Sequence, residues 1–190
     1  MLFSEPGKLL TTAPVWVIID TVMSDLVILG LLFDGPKHGY QLKREAGFIL
    51  GRGDMHNNLV YPLLRRFTIE GWVTKKPVPG ERGQTRQQYA LTAKGRHELL
   101  RRLAEYSDED ASSDEAFNTR VGMFELVGPD ARARILGKRE DYLSAREERL
   151  GTLKTGIDVG TYGAEVIGFL WGQTRSEIAW IKRLRRMDGN

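Results

Sequence analysis

Between His56 and Gly95 the hydrophobic pattern changes period once. Leu59, Leu63 and Phe67, with Val60 and Leu64 on the adjoining column, recur at helical spacing until Gly71 ends the run. WVTKKPV and TRQQYAL follow, two β-prone runs flanking a Pro-Gly-Glu-Arg-Gly turn, which is a hairpin signal. The helix would expose Asn57, Asn58, Tyr61 and Arg65. Pro62 lacks a backbone donor, so it favours a start near Asn57 or Asn58 that leaves the proline at the edge of the first turn. There the asparagines either cap the helix or offer their amides to adenine.

Upstream, LVILGLLF predicts a helix from Ser24 to Phe33, capped by Ser24 or Asp25 and ended by Gly35-Pro36. YQLKREAGFIL predicts a second, with Leu42, Ala46, Ile49 and Leu50 inward and Lys43, Arg44 and Glu45 outward. Three short helices, brief glycine-containing turns and a hairpin make a winged helix-turn-helix. Before it, Val15, Trp16, Ile18 and Ile19 expect cover from a partner subunit or the C-terminal helices. Asp20 and Asp25 break that apolar stretch below the length a membrane span needs.

Downstream, SDEDASSDE is acidic and lacks large apolar residues, so it reads as a linker or a frayed helix end. A long helix from about Asp130 follows, with Leu136, Leu143, Leu150 and Ile157 at heptad spacing. Arg139 and Arg146 on the neighbouring column make it a poor self-standing coiled coil. A last helix, from about Tyr162 to Met187, carries Ile167, Leu170, Trp171, Thr174, Ile178, Ile181 and Leu184 inward. Two long amphipathic helices bury their stripes best across a two-fold axis. Phe117, Phe169, Trp171 and Trp180 either line an effector pocket or form dimer core.

The expected class is mainly α with a small β-hairpin wing, a winged helix-turn-helix domain plus C-terminal antiparallel helices. Residues 1–22 form an extension, 23–106 the winged helix, 107–115 an acidic linker and 116–190 a helical dimerisation region with room for an effector.

Charge sharpens this. Residues 36–103 carry 14 Lys and Arg against 5 Asp and Glu, a surplus of nine in a chain whose net charge is +3. A cationic winged helix suits the phosphate backbone, although a basic solvated surface would show the same surplus. The chain has no cysteine, which excludes disulfides and thiolate metal sites and fits a reducing compartment. His38, His56 and His97 have no metal-ligand spacing, and no nucleophile elbow or P-loop occurs, so we expect no enzyme, metal or cofactor.

LVILGLLFDGPKHGYQL, LVYPLLRRFTIEGWV and QYALTAKGRHELL together resemble the N-terminal domain of the PadR family of bacterial transcriptional regulators. The shared positions are Gly35, Pro36, His38, Gly39 and Tyr40; Tyr61, Pro62, Leu64, Gly71 and Val73; and Tyr89, Leu91, Thr92 and Gly95. Phe67 stands where leucine is usual, and Asn57-Asn58 where small residues are common. The resemblance implies that Tyr40 and Tyr61 lie at the DNA face; a core role with satisfied hydroxyls is the alternative. Gly39 and Gly71 suit turns of positive φ, and Thr92 suits a helix cap. Lys43, Arg66, Lys75, Lys76, Arg82 and Arg86 are expected to touch DNA, most of them on the backbone, with Arg65 reading a base and Arg82 over the minor groove.

The resemblance further implies a cytoplasmic, bacterial homodimer, nucleoid-associated when bound, that represses from a palindromic operator in double-stranded DNA. A small aromatic or hydrophobic effector would release it through the C-terminal helices. A winged helix that binds protein, or a helical small-molecule binder without DNA, are the alternatives.

Overall fold

In a computed structural model, the residues described are 15–51, 53, 55–80, 84–156 and 158–188. The helix α1 (Val15–Phe33) leads into a short strand β1 (Lys37–His38), then α2 (Gly39–Ile49) and α3 (Asn57–Ile69). The wing is β2 (Val73–Pro79) and β3 (Thr85–Leu91). Next come α4 (Ala93–Ala104), α5 (Asp108–Ser112), α6 (Asp114–Val121), a 3-10 turn at Phe124–Leu126, and the long helices α7 (Pro129–Gly156) and α8 (Gly160–Asp188). The winged-helix fold of mainly helical class is as the hydrophobic pattern leads one to expect.

Helix α1 departs from expectation at its start. It begins at Val15 and passes straight through Ser24 and Asp25, which are buried within it and cap nothing. Met23, Leu26, Val27, Ile28, Leu29 and Leu32 are also buried, so the helix is enclosed on nearly every side and Asp25 is tolerated because cations reach it. Residues 1–14 of the expected extension, and the side chains of Val15, Trp16, Ile18 and Ile19, lie outside the described residues. Ile49 also faces outward, 52% exposed, where an inward position was expected.

The sheet has three antiparallel strands in the order β1-β3-β2, one more than the hairpin pattern suggests. Lys37 pairs with Tyr89 and His38 with Gln88, while β2 and β3 pair from Val73–Leu91 out to Pro79–Thr85. Strand β2 is an edge, which is why Pro77 and Pro79 are accepted there.

At the end of α3, Gly71 takes φ +73° and closes a Schellman motif. The Trp72 amide donates to the Phe67 carbonyl (2.8 Å), that of Gly71 to Thr68 (3.2 Å), and the Phe67 and Trp72 rings pack 5.5 Å apart. Thr92 caps α4 as expected, its hydroxyl accepting from the Gly95 amide at 3.0 Å. Gly95 has a packing reason: a Cβ there would lie 2.1 Å from the Trp72 carbonyl oxygen. Gly95→Ala would gain about 1 kcal/mol of helix propensity. Overpacking against backbone, which cannot swing aside, costs roughly 1–3 kcal/mol and should win. We expect a lower urea midpoint at unchanged m-value; a midpoint that rises would refute the close approach.

The segment 107–115 is folded, contrary to the linker expected. Ser107 caps α5 by accepting from the Asp110 amide (3.0 Å), and Ser113 caps α6 through the Ala116 amide (3.2 Å). Its three aspartates are paired: Asp108 with Lys138, Asp110 with Arg120, Asp114 with Arg139. Asp108 and Asp114 stay largely in water, as composition suggested, but cations of α6 and α7 supply partners.

Two cores result. One fills the winged helix and draws in Ala116, Val127 and Ala131; the other holds Tyr106, Ala111, Phe117, Ile135, Leu136, Leu143 and Ile181. Leu136, Leu143 and Leu150 are buried in the single chain, so much of the expected heptad seam is satisfied by α8 and neighbouring helices. Ile157 lies outside the described residues.

Candidate nucleic-acid interface

Helix α3 starts at Asn57 with His56 in the cap position, so neither asparagine caps it, contrary to one of the two roles expected. The Val60 amide donates to the His56 carbonyl (3.2 Å), leaving the amides of Asn57 and Asn58 at the helix N-terminus, where an anion is favoured. Pro62 is the sixth residue, slightly deeper than the first turn, and its missing N–H leaves the Asn58 carbonyl without its usual helical donor. Val60, Leu63, Leu64 and Phe67 face the core, and Asn57, Asn58, Tyr61 and Arg65 face outward.

Beside α3 lies a cleft of about 700 Å³ where Tyr40, Tyr61, Lys75 and Arg86 converge from α2, α3, β2 and β3. Tyr40 and Tyr61 are 49% and 44% exposed, which rules out the core alternative for both. Gly39 is needed for closeness, since a Cβ there would lie 2.9 Å from the Tyr61 ring. It is not among the glycines of positive φ, correcting the turn role expected of it. The Tyr40 ring stacks on His38 with centroids 5.8 Å apart, and the Arg86 guanidinium stands 5.8 Å from it. The same cleft is lined by His38, Gln87 and Tyr89, none of which was among the residues expected to touch DNA. His38 Nδ1 is 3.2 Å from the Gln87 carbonyl, an attachment that only the β1–β3 pairing creates. Burial pushes the Tyr89 hydroxyl pKa up, keeping it a neutral hydrogen-bonding group.

A second concavity, about 380 Å³, joins Lys43 with His56, Asn57 and Asn58. Lys76 is exposed one position along β2 from Lys75, hence on the opposite face of the sheet. Arg82 lies outside the described residues.

Arg66 differs from its neighbours. It lies about 100° round the helix from Arg65, and its guanidinium donates to the buried carboxylate of Asp25 and lies 5.3 Å from the Phe67 ring. That places Arg66 against α1, off the face that carries Arg65 and Tyr61.

In the C-terminal half, Trp180 packs edge-on against the buried Phe117 (5.6 Å) and Ile178 is half-buried beside them. Trp171 sits between Lys154 (5.2 Å) and Arg175 (4.7 Å). Phe169 is 65% exposed, on one stripe with Tyr162 and Val166. A cleft of about 720 Å³ is lined by Phe169 and Trp180 together with Arg146, Gln173 and Ser176; Trp171 and Ile178 are not in its wall. Among the described residues no group of His, Asp and Glu could hold a metal, and no helix is long and apolar enough to cross a membrane.

Residues 28–101 match the transcriptional regulator PadR-like family. Among solved structures, PadR of Bacillus subtilis in complex with operator DNA is similar at 18% identity and a TM-score of 0.42, over 86% of this chain and 98% of that one. The same regulator with p-coumaric acid gives 18% identity and 0.38, over 88% and 99%. A proposed transcriptional regulator from Thermoplasma acidophilum is 28% identical with a TM-score of 0.41, over 43% of this chain and 78% of that one. These superpositions are loose and carry no residue roles. No curated protein matches the chain in sequence.

Proposed function

We propose that this chain, PadR-like over residues 28–101, is a homodimeric transcription factor that represses by binding a palindromic operator and does no chemistry of its own. The observation that carries the reading is the convergence of Tyr40, Tyr61, Lys75 and Arg86 beside the exposed face of α3. In this reading α3 enters the major groove. Arg65 reads a base, and Asn57 and Asn58 meet base or phosphate at the helix N-terminus. Tyr40, Lys43, Tyr61, Lys75, Lys76 and Arg86 hold the backbone and set register. Arg82, outside the described residues, keeps the minor-groove contact expected of it from the sequence. Two copies would present their reading helices about one helical turn, ~34 Å, or a multiple apart.

The exposed stripe Tyr162, Val166 and Phe169 is the surface we assign to the second subunit. An effector, a small aromatic or hydrophobic molecule, would enter the cleft at Phe169 and Trp180 and release DNA by favouring a dimer with the wrong head spacing. PadR of Bacillus subtilis, solved with operator DNA and with p-coumaric acid, supports this analogy. Head spacing that stays constant with and without an effector would defeat the release step.

Duplex DNA shifted at low salt and released as salt rises tests the reading; no binding to any duplex at low salt would sink it. Within it, Arg65→Ala should cost roughly 1–3 kcal/mol on the preferred site and relax selectivity. Lys76→Ala should weaken all sequences alike and lower the salt slope by about one. Titrations of both variants against preferred and scrambled duplexes check the division of labour, which fails if the two behave the same.

A further inference from the structure

Asp25 is a carboxylate in the winged-helix core, its side chain 3% exposed. Its Oδ2 accepts from Arg66 on α3 and from Arg102 Nη1 on α4 at 2.9 Å. Arg102 Nε donates to Glu98 at 2.6 Å, and its guanidinium lies over the Trp72 ring, 4.7 Å from the centroid, where the chain leaves α3 for the wing. One acidic oxygen thus joins α1, α3 and α4 at the root of the reading head. Hydrogen bonds from Arg101 and Arg102 hold the Glu98 carboxyl down at about 2, so that end of the network stays charged. Burial pushes the Asp25 carboxyl up while the two guanidinium groups oppose it.

An apolar contact resists separation but allows a helix to turn about its own axis. A charge-assisted bond is directional, and from a buried carboxylate it can hold the helix at one rotation. Arg66 is the residue of α3 so held, and Arg65 is its sequence neighbour on the outward face. Any rotation that slackens the first displaces the second.

We propose that Asp25 and Arg66 are a positioning pair that sets the rotation of α3, so that sequence selectivity depends on two side chains that do not touch DNA. The proposal rests on α3 being the DNA-reading helix. It also reassigns Arg66 from the phosphate contact that its place in the sequence suggests.

The test uses the full chain. Selection from random duplexes with the wild type yields a preferred site, and affinities for it and for a scrambled duplex are then measured across a salt series. Arg66→Gln and Asp25→Asn should each lower the preferred-to-scrambled ratio by about tenfold, the scale of one lost base contact, with the wild-type salt slope retained. Arg139→Met, a change remote from the reading head, should leave the ratio unchanged and so separates positioning from general loss of stability. Arg66→Gln keeps Asp25 paired with Arg102, so it decides the matter even if Asp25→Asn does not fold. A slope lowered by about one in Arg66→Gln would place Arg66 on a phosphate and overturn the proposal; so would an unchanged ratio. A wild type that binds no duplex at low salt would instead refute the DNA-reading function itself.

Discussion

Arg139→Ala is expected to cost roughly 3–5 kcal/mol of stability, the penalty for removing one partner of a buried charged cluster. The Arg139 side chain is completely buried. Its Nε donates to Glu177 on α8 (2.7 Å), one terminal nitrogen to the Ala111 carbonyl on α5 (2.7 Å), and the other to Asp114 on α6 (2.5 Å). The guanidinium also lies 5.3 Å from the Phe117 ring and 5.5 Å from that of Tyr142. Alanine would leave the Ala111 carbonyl and a mostly covered Glu177 without this donor, and would open a cavity among the aromatic rings. Arg139→Met refills most of the volume while still deserting the acceptors, so it should fall between alanine and the wild type. Asp114, 69% exposed, can return to water in either variant. Urea unfolding of the three proteins provides the check. If both variants unfold with the wild type, the hub has been overvalued.

Duplex affinity should fall on the order of ten-thousandfold as salt rises from about 50 to about 200 mM, if the interface is as proposed. In the proposed reading, Lys43, Lys75, Lys76 and Arg86 would be the phosphate-directed cations of each subunit. A dimer doubles those four, which falls within the roughly 6–10 phosphate contacts that give a drop of this order. A basic but merely solvated surface would release far fewer counterions. Binding isotherms on one duplex at several salt concentrations measure the slope; a loss below tenfold over that range would mean these residues do not track the backbone together.

Legibility in the sequence followed range. The three helices of the winged-helix domain, the wing, the Gly71 stop and the Thr92 cap were all visible, because each rests on residues a few positions apart. The tyrosines and wing cations could be nominated from the same stretch. Their meeting in one cleft could not, since it needs β1 to pair with β3 and Gly39 to admit the Tyr61 ring. The acidic segment misled for a related reason. Its composition reads as solvated chain, and the caps of Ser107 and Ser113, the burial of Ala111 and the ion pairs with Lys138, Arg120 and Arg139 from other helices make it structure.

The amino-acid pattern by itself therefore determined the order of elements, the outward face of α3 and the concentration of positive charge between residues 36 and 103. Tertiary structure decided which charges face out. Arg65 and Arg66 are indistinguishable as letters, yet Arg65 faces outward while Arg66, its side chain still 41% exposed, has its guanidinium turned onto Asp25, 41 positions away. Arg139 looked like a flaw in a heptad seam and is the centre of a buried cluster. Periodicity can say that a polar residue departs from an apolar stripe. Whether it is stable there depends on a partner of opposite charge, and that partner is brought close only by the folded chain.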